Sequence, residues 1–308
     1  MSVHDKLKEL KKNLKPASVA TYFRNCKRLR KVHHDLPIPP DSSKWLTEEK
    51  LFTWFDGQPL SVRRHLSNAA TVCLAVYKKK SAKWTKRQHD DMRSFDTERR
   101  KRNLTAKQKS NMPTRGWDAL GDAIKSMKAS MKHVLSKKID DVKTLLRVQD
   151  LVILSLYEDI PLRLDYASLR LGKFRGNSIY KSTTKPRGWH INLEVYKTAK
   201  TLGKKVFKMN ARNQRLLNKF IPAVRELTDH GFLLTNRKNQ KMSRQVLSKT
   251  LMRITGARVG KKFSTQLLRI LYAMKNRDVI ESATAVSAKL MHSTDQSLQY
   301  AKKDAKKD

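Results

Sequence analysis

The hydrophobic pattern changes from helical to strand-like spacing in one region of the chain, and this change limits the fold classes that the sequence can adopt. Apolar residues recur at helical spacing over most of the 308 residues. Three segments instead alternate apolar and polar residues or are β-rich, and Gly203 supplies a turn among them: SIYKSTT (178–184), GWHINLEVYKTA (188–199) and KKVFKMN (204–210). Helical patterns resume at residue 211. The sequence therefore predicts a mainly α (α+β) protein with a small antiparallel sheet.

A polar segment divides the helical patterns into two groups. Four helices are predicted before it, the last of them over residues 84–103. Residues 105–115 have few apolar side chains and include Pro113, which is typical of a linker. The chain is therefore predicted to form a small helical domain over residues 1–104 and a mostly helical domain with the sheet over residues 116–308.

The charge of the chain indicates a polyanionic partner. Lys and Arg number 68 against 27 Asp and Glu, which gives a net charge of +41. Because such a surplus repels itself unless a polyanion neutralises it, nucleic acid is the predicted partner, ahead of an anionic membrane. No apolar run approaches the length of a membrane-spanning helix, and no hydrophobic signal core precedes the first helix. We therefore expect an intracellular protein that acts with nucleic acid.

The two cysteines, Cys26 and Cys73, give no sign of a metal site or a disulfide framework. The sequence contains no CxxC, no paired histidines at ligand spacing and no acidic metal cluster. A reducing compartment, no metal and no cofactor are therefore expected.

Three basic residues have the chemistry needed to act on a phosphodiester. Arg163 follows an apolar helix and Pro161, in IPLRLDYASLRL, and Arg269 lies inside the predicted helix STQLLRILYA. The planar guanidinium of arginine matches phosphate oxygens and stays charged. Lys197, in EVYKTAKTLGKKVF, lies late in one predicted strand of a hairpin. A lysine whose pKa is lowered by burial or by neighbouring cations can donate a proton to a leaving oxygen.

A histidine and a tyrosine near the end of the chain complete this set. His292 precedes Tyr300 by eight residues in MHSTDQSLQYAKK. Eight residues of straight helix span about 12 Å, so both side chains reach one phosphate only if the chain bends between them. The segment Ser293–Asp295 offers good N-cap residues for a new helix that carries Tyr300. Tyrosine serves as a nucleophile where nearby cations favour its phenolate.

In this order, the residues resemble the catalytic set of the tyrosine recombinases, the family of lambda integrase and Cre. The resemblance covers about residues 105–302 by the order of the motifs. The blocks YKTAKT and MHSTDQSLQY are closest to the integrases of large eukaryotic DNA viruses and related mobile elements. Residues 1–104 resemble the core-binding domain of the family only in being helical and basic. The second domain is then the catalytic domain.

The resemblance implies a site-specific recombinase that cleaves and rejoins double-stranded DNA through a 3′-phosphotyrosyl intermediate, without ATP or metal. Arg163 and Arg269 would clamp the scissile phosphate, and Lys197 would protonate the departing 5′ oxygen. His292 would hydrogen-bond the phosphate or help to deprotonate the tyrosine, and Tyr300 would attack. Self-assembly on DNA, from dimer to tetramer, is also implied.

Three residues depart from the family pattern or compete for its roles. Gln266 stands where relatives usually have His or Lys, and an amide cannot carry a proton. Asp165 follows Arg163 by two residues, where many relatives have an acid three residues on, and it either orients Arg163 or is an ordinary surface acid. Lys200 competes with Lys197 for the role of proton donor.

Two other functions are open at this point. A type IB DNA topoisomerase shares the same chemistry but relaxes DNA alone. A non-catalytic protein that only binds DNA would carry the same charge, since charge indicates a partner and not an activity.

Overall fold

The computed structural model describes residues 1–14, 16–33, 36–101 and 103–282, and it divides the chain into two compact units. The units cover residues 1–101 and 102–308. The expected terminal helix, with His292 and Tyr300, lies outside the described residues. Within them, the structure confirms a mainly helical protein with a small sheet.

The described residues of the first unit contain helices and no strand. Its α-helices are α1 (Val3–Leu10), α2 (Pro16–Arg30), α3 (Glu49–Asp56), α4 (Leu60–Val76) and α5 (Ala82–Arg100), with 3₁₀ turns at Lys31–His33 and Lys44–Thr47. α2 begins at Pro16, whose fixed φ suits the first helical position. α5 begins after Ser81, whose hydroxyl accepts a hydrogen bond from the backbone N–H of Trp84.

The core of the first unit centres on Trp84. Its indole is fully buried and contacts the rings of Phe52 and Phe55, with centroids 4.9 and 5.0 Å away. The indole N–H donates to the carbonyl of Leu46 at 2.6 Å, so its one polar atom is satisfied. The basic side chains of α5 are therefore held on a helix whose buried face is anchored by an aromatic cluster.

The second unit packs its helices around α9, which is buried along most of its length. Its α-helices are α6 (Ala106–Ser110), α7 (Asp118–Ser130), α8 (Lys132–Ser136), α9 (Val142–Asp159), α10 (Ala199–Leu202), α11 (Ala211–Leu227), α12 (Arg244–Val259), α13 (Thr265–Lys275) and α14 (Arg277–Ser282). Every residue of the segment 151–157 is buried, as expected for a helix that is apolar on all sides. α7, α11 and α12 pack against it.

The sheet of the second unit has four strands in the order β1-β2-β3-β4. They are β1 (Arg170–Leu171), β2 (Ser178–Ser182), β3 (Gly188–Leu193) and β4 (Lys205–Lys208). β2, β3 and β4 are antiparallel, as predicted, but β1 pairs with β2 in parallel. The sheet is therefore mixed, which corrects the expectation of a wholly antiparallel one. A strand of two residues is too short to show an alternating pattern in the sequence.

The connection between β3 and β4 corrects the predicted position of Lys197. β3 ends at Leu193, and Lys197 lies in a turn beyond it rather than in the strand. The strand ends because the backbone N–H groups of Glu194 and Val195 donate to the side chain of Asn177 instead of to a neighbouring strand. We call residues 194–204, which include α10, the lysine loop.

The segment predicted as a linker, residues 105–115, carries secondary structure of its own. Thr105 and Gln108 form a reciprocal capping box at the start of α6. The Lys261 side chain donates to the carbonyl of Ser110 at 2.9 Å, so this segment is tied to the second unit. The division between the two compact units falls between residues 101 and 102, and the predicted domain bounds at residues 104 and 116 stay a prediction.

Candidate active site: an arginine cluster and the lysine loop

The end of α9 is shaped by a proline and by the hydroxyl of Tyr166. Pro161 disfavours the helical conformation for the residue before it, and Ile160 is extended, with φ −135° and ψ 104°. The Tyr166 hydroxyl lies 2.8 Å from the carbonyl of Leu156 and 2.7 Å from that of Ile160. Each of these carbonyls also accepts a backbone N–H, that of Leu156 from Ile160 and that of Ile160 from Leu162, so the tyrosine adds a side-chain contact to a helix end that the backbone already closes.

Arg163 lies directly after this helix end, and its backbone is fixed by a second tyrosine. The Tyr157 hydroxyl donates to the carbonyl of Arg163 at 2.7 Å. Burial raises the pKa of Tyr157 well above its ordinary value, so the hydroxyl stays protonated and keeps donating. The backbone of Arg163 is therefore fixed, and its side chain is half-buried.

Asp165 is buried and paired with an arginine from a distant part of the chain. Its side chain is 4% exposed, and one carboxylate oxygen accepts from the Arg244 guanidinium at 2.8 Å. Burial raises the pKa of Asp165, while the charges of Arg244, Arg163 and Arg269 oppose that rise. Asp165 is therefore not an ordinary surface acid, because three guanidinium groups act on its carboxylate.

Arg269 belongs to the same cluster. It is 2% exposed on α13, which begins after Ser264, whose hydroxyl caps the first turn by accepting from Leu267 N–H at 3.1 Å. Its charge lowers the pKa of Asp165. The charges of Arg163, Arg244 and Arg269 therefore all act on the Asp165 carboxylate, while the clamping role of Arg163 and Arg269 stays a prediction. We call these four residues the arginine cluster.

Gln266 differs from Arg269 in its exposure to solvent. It lies in the first turn of α13, three residues before Arg269, and its side chain is exposed whereas that of Arg269 is buried. Its predicted accessory role remains a prediction.

The residues that sequence reasoning missed are Arg244 and the two tyrosines. Arg244 is the first residue of α12, where the helix dipole disfavours a cation, and the first turn holds no acidic residue. A cation in that position is a weak signal that an anion lies nearby in the fold. No local pattern marks Tyr157 or Tyr166, since each acts on backbone carbonyls within an apolar core.

The lysine loop presents Lys197 and Lys200 to solvent. Lys197 is exposed in the turn after β3, and Lys200 is exposed on α10. The loop itself is closed by two contacts across its ends. The buried Tyr196 donates its hydroxyl to the carbonyl of Gly203, and Gly203 has the positive φ of 65° that favours glycine.

The second closing contact is an ion pair at the ends of the loop. The Glu194 carboxylate lies 3.0 Å from the Lys204 ammonium and accepts from the backbone N–H of Gly176 at 2.6 Å. These bonds, with one from Asn192, lower the pKa of Glu194 to about 2. The loop is thus held by its backbone and by its end residues, while the two lysine head groups stay accessible.

The described residues lack two other kinds of site. They contain no group of three His, Cys, Asp or Glu side chains placed to hold a metal ion. Over the same residues, no helix is both long enough and apolar enough to cross a bilayer. What the described site offers is cationic: a half-buried arginine cluster and an exposed, anchored lysine loop, a combination suited to a phosphate group.

Comparison with known proteins identifies the fold. No protein-family model matches the chain, and no curated protein matches its sequence. Among solved structures, XerH site-specific recombinase bound to its difH substrate, in a pre-cleavage complex, has a TM-score of 0.59 at 14% identity, over 95% of this chain and 78% of that one. A lambda integrase (residues 75–356) dimer bound to a COC′ core site has a TM-score of 0.52 at 14% identity, over 100% of this chain and 98% of that one. The chain therefore has the fold of tyrosine site-specific recombinases.

Proposed function

We propose that this protein is a tyrosine-type site-specific recombinase that cleaves and rejoins double-stranded DNA through a 3′-phosphotyrosyl intermediate. The observation that carries the proposal is the clustering of Arg163 and Arg269 around the buried Asp165, on a fold similar to that of such recombinases. The charges of these two arginines, from distant parts of the chain, both act on one carboxylate, and the guanidinium group matches phosphate oxygens, which supports the proposed clamp.

The proposed reaction needs no cofactor. The Tyr300 oxygen attacks the phosphorus and forms the phosphotyrosyl bond, and the bond from phosphorus to the 5′ oxygen breaks. The tyrosine proton passes to His292, and Lys197 or Lys200 gives a proton to the departing 5′ oxygen. Arg163 and Arg269 stabilise the charge that grows on the non-bridging oxygens. The phosphodiester energy is kept in the covalent bond, so the reverse step rejoins DNA without ATP.

The partners follow from the same proposal. Double-stranded DNA is the substrate, and a net charge of +41 supports binding along its backbone. The XerH and lambda integrase structures hold bound DNA, the latter as a dimer, and we extend this arrangement to copies of this chain. The finer likeness to integrases of large eukaryotic DNA viruses and mobile elements stays a prediction from YKTAKT and MHSTDQSLQY.

The test is covalent capture of DNA. The protein is incubated with a pool of nicked duplexes of randomised core sequence, and adducts that survive denaturation are recovered and sequenced. The wild type is expected to form adducts with a subset of sequences. Tyr300→Phe is expected to form none while binding DNA with nearly unchanged affinity, because the hydroxyl attacks but contributes little to binding.

Three results would contradict the proposal in different ways. Adducts from Tyr300→Phe would mean that another residue is the nucleophile. Binding without any adduct from the wild type would indicate a non-catalytic DNA-binding protein. Adducts together with relaxation of a single plasmid, and no exchange between two recovered sites, would indicate a type IB topoisomerase.

A further inference from the structure

Asn177 uses every polar group of its side chain to join two parts of the candidate site. It lies just before β2 and is 7% exposed. Its amide oxygen accepts two hydrogen bonds, and its amide nitrogen donates two. A buried asparagine with all its bonds satisfied fixes the segments that it contacts, because breaking one bond leaves a buried polar group unpaired.

Three of the four bonds go to the start of the lysine loop. The Asn177 Oδ1 accepts from the backbone N–H of Glu194 at 3.1 Å and of Val195 at 2.9 Å. Its Nδ2 donates to the carbonyl of Val195 at 2.8 Å. Val195 is 67% exposed, so these bonds, rather than packing of its side chain, fix the backbone two residues before Lys197.

The fourth bond leads back to the arginine cluster. Asn177 Nδ2 also donates to the Ser168 hydroxyl at 2.8 Å, and that hydroxyl donates to the carbonyl of Asp165 at 2.7 Å. The backbone adds a parallel connection, since the N–H of Arg170 donates to the carbonyl of Asn177 at 3.1 Å. A chain of hydrogen bonds therefore runs from the residue that pairs with Arg244 to the loop that carries Lys197.

We propose that Asn177 is a positioning residue that sets the proton donor of the lysine loop relative to the arginine cluster. The inference rests on the proposed function, because it assigns Lys197 to protonation of the leaving oxygen. Lysine has a long flexible stem, so the position of its backbone determines which atom its ammonium group reaches. Asn177 acts only through the loop, without contributing a group to the reacting atoms.

A substrate with a different leaving group distinguishes the positioning role of Asn177 from a general loss of structure. In a substrate whose bridging 5′ oxygen is replaced by sulfur, the leaving group is a thiolate, which departs without protonation because thiols are far more acidic than alcohols. Displacing the lysine therefore slows cleavage of the oxygen substrate only. Displacing the phosphate clamp slows cleavage of both.

The experiment uses the full chain and a duplex recovered by covalent capture, made with either oxygen or sulfur at the bridging position. Single-turnover adduct formation is measured for wild type, Lys197→Ala and Asn177→Ala. Asn177→Ala is expected to slow cleavage of the oxygen substrate by about 100-fold, the order of loss that follows a misplacement of 1 Å. With the sulfur substrate it is expected to react near the wild-type rate, as is Lys197→Ala.

Two further variants keep the test decisive. Asn177→Asp keeps an acceptor for both N–H groups and loses only the donated bonds, so it is expected to be slowed less on the oxygen substrate, and it replaces Asn177→Ala if that variant does not fold. Gln149→Ala is the matched control. Gln149 is also a buried amide, 1% exposed, that exchanges two backbone hydrogen bonds with Thr235. It is expected to leave the ratio of oxygen to sulfur rates unchanged.

The outcomes distinguish the inference from the proposed function. If the wild type reacts and the Asn177 variants slow both substrates equally, the positioning role is overturned while the recombinase chemistry stands. If Gln149→Ala changes the rate ratio as Asn177→Ala does, the effect is one of stability and the role is again overturned. If covalent capture recovers no duplex with the wild type, the proposed function fails, and the inference fails with it.

Discussion

Arg269 is 2% exposed, whereas Lys197 lies on the solvent side of the lysine loop. The two side chains carry the same charge and are assigned to the same phosphate, yet the protein holds them in different ways. The arginine is held by burial within a helix and by a cluster that includes a buried carboxylate. The Lys197 side chain is exposed, and only the backbone near it is fixed, by hydrogen bonds to Asn177.

The difference follows from what each group does in the proposed reaction. Arginine keeps its charge at any working pH, so it tolerates burial beside a carboxylate and needs only a fixed geometry. A proton donor must change its protonation state during the reaction, and deep burial of lysine would favour its neutral form too early. The contrast predicts that the two regions fail differently when they are altered.

The largest expected effect is the loss of cleavage rate when an arginine of the arginine cluster is removed. Arg269→Ala and Arg163→Ala are each expected to slow cleavage by about 100-fold or more, because a full charge opposite the transition-state oxygens is lost. Gln266→Ala, on the same helix, removes only a neutral hydrogen bond and is expected to cost about tenfold or less. The measurement is single-turnover cleavage of a nicked duplex at saturating protein. A folded Arg269→Ala variant that cuts at the wild-type rate would remove this residue from the site.

The next largest effect is the loss of cleavage rate when the proton donor of the lysine loop is removed. Lys197→Ala is expected to slow cleavage of the oxygen substrate by about 100-fold, within the range for loss of a general acid. Lys200→Ala, its neighbour on α10, is the matched control and is expected to react near the wild-type rate. Comparison of oxygen and sulfur leaving groups shows which variant has lost proton donation. The reverse pattern would assign the role to Lys200.

A smaller effect is expected for Arg244→Ala, which removes the partner of Asp165. The free energy of unfolding is expected to fall by about 1–3 kcal/mol, the cost of leaving a buried acceptor without its partner. Because the Arg244 charge lowers the pKa of Asp165, its removal raises that pKa, and Asp165 becomes protonated at higher pH. The acid limb of the pH–rate profile is therefore expected to move to higher pH.

Arg253→Ala is the matched control for that variant. Arg253 lies on the same helix, is 51% exposed against 58% for Arg244, and bonds to the carboxylate of Asp150 at 2.7 Å. It is expected to lower stability without moving the acid limb. An equal shift of the profile in both variants would show that Asp165 does not control the pH dependence.

The smallest expected effect concerns the anchoring of the lysine loop at low pH. The pKa of Glu194 is lowered from 4.5 to about 2, so its stabilising contribution is complete above 4.5 and is lost as the pH falls toward 2. The difference in denaturation midpoint between wild type and Glu194→Gln is expected to be largest at neutral pH and to shrink over this range. A difference that does not depend on pH would mean that the carboxylate charge does not stabilise the loop.

Sequence reasoning predicted the fold class, which the structure confirms. The change of hydrophobic period places the sheet between helices, and Pro161 marks the end of α9, because both signals are local. The parallel pairing of β1 escaped it, since pairing direction depends on a distant strand. The end of β3 before Lys197 escaped it as well, because the side chain of Asn177 replaces a strand neighbour there.

The contacts within the candidate site also differ in whether the sequence could predict them. Arg163 and Arg269 could be named from their motifs, whereas the contact of Arg244 with Asp165 joins residues from separate helices. Whether Asp165 is a surface acid or a buried one depends on packing that no local pattern reports. The roles of His292 and Tyr300 lie outside the described residues and stay predictions.

The outer edge of β4 has a consequence for how the protein behaves at high concentration. β4 ends the sheet, and no strand in the described part of the chain pairs with its far side. Such an edge is a template on which a second copy can add a strand and begin to aggregate. Its four residues, KVFK, place a lysine at each end of the exposed backbone, so two copies that approach edge to edge meet like charges. Because added salt shortens the range of that repulsion to about 8 Å at physiological ionic strength, the protein's colloidal stability is expected to depend on the ionic strength of its buffer.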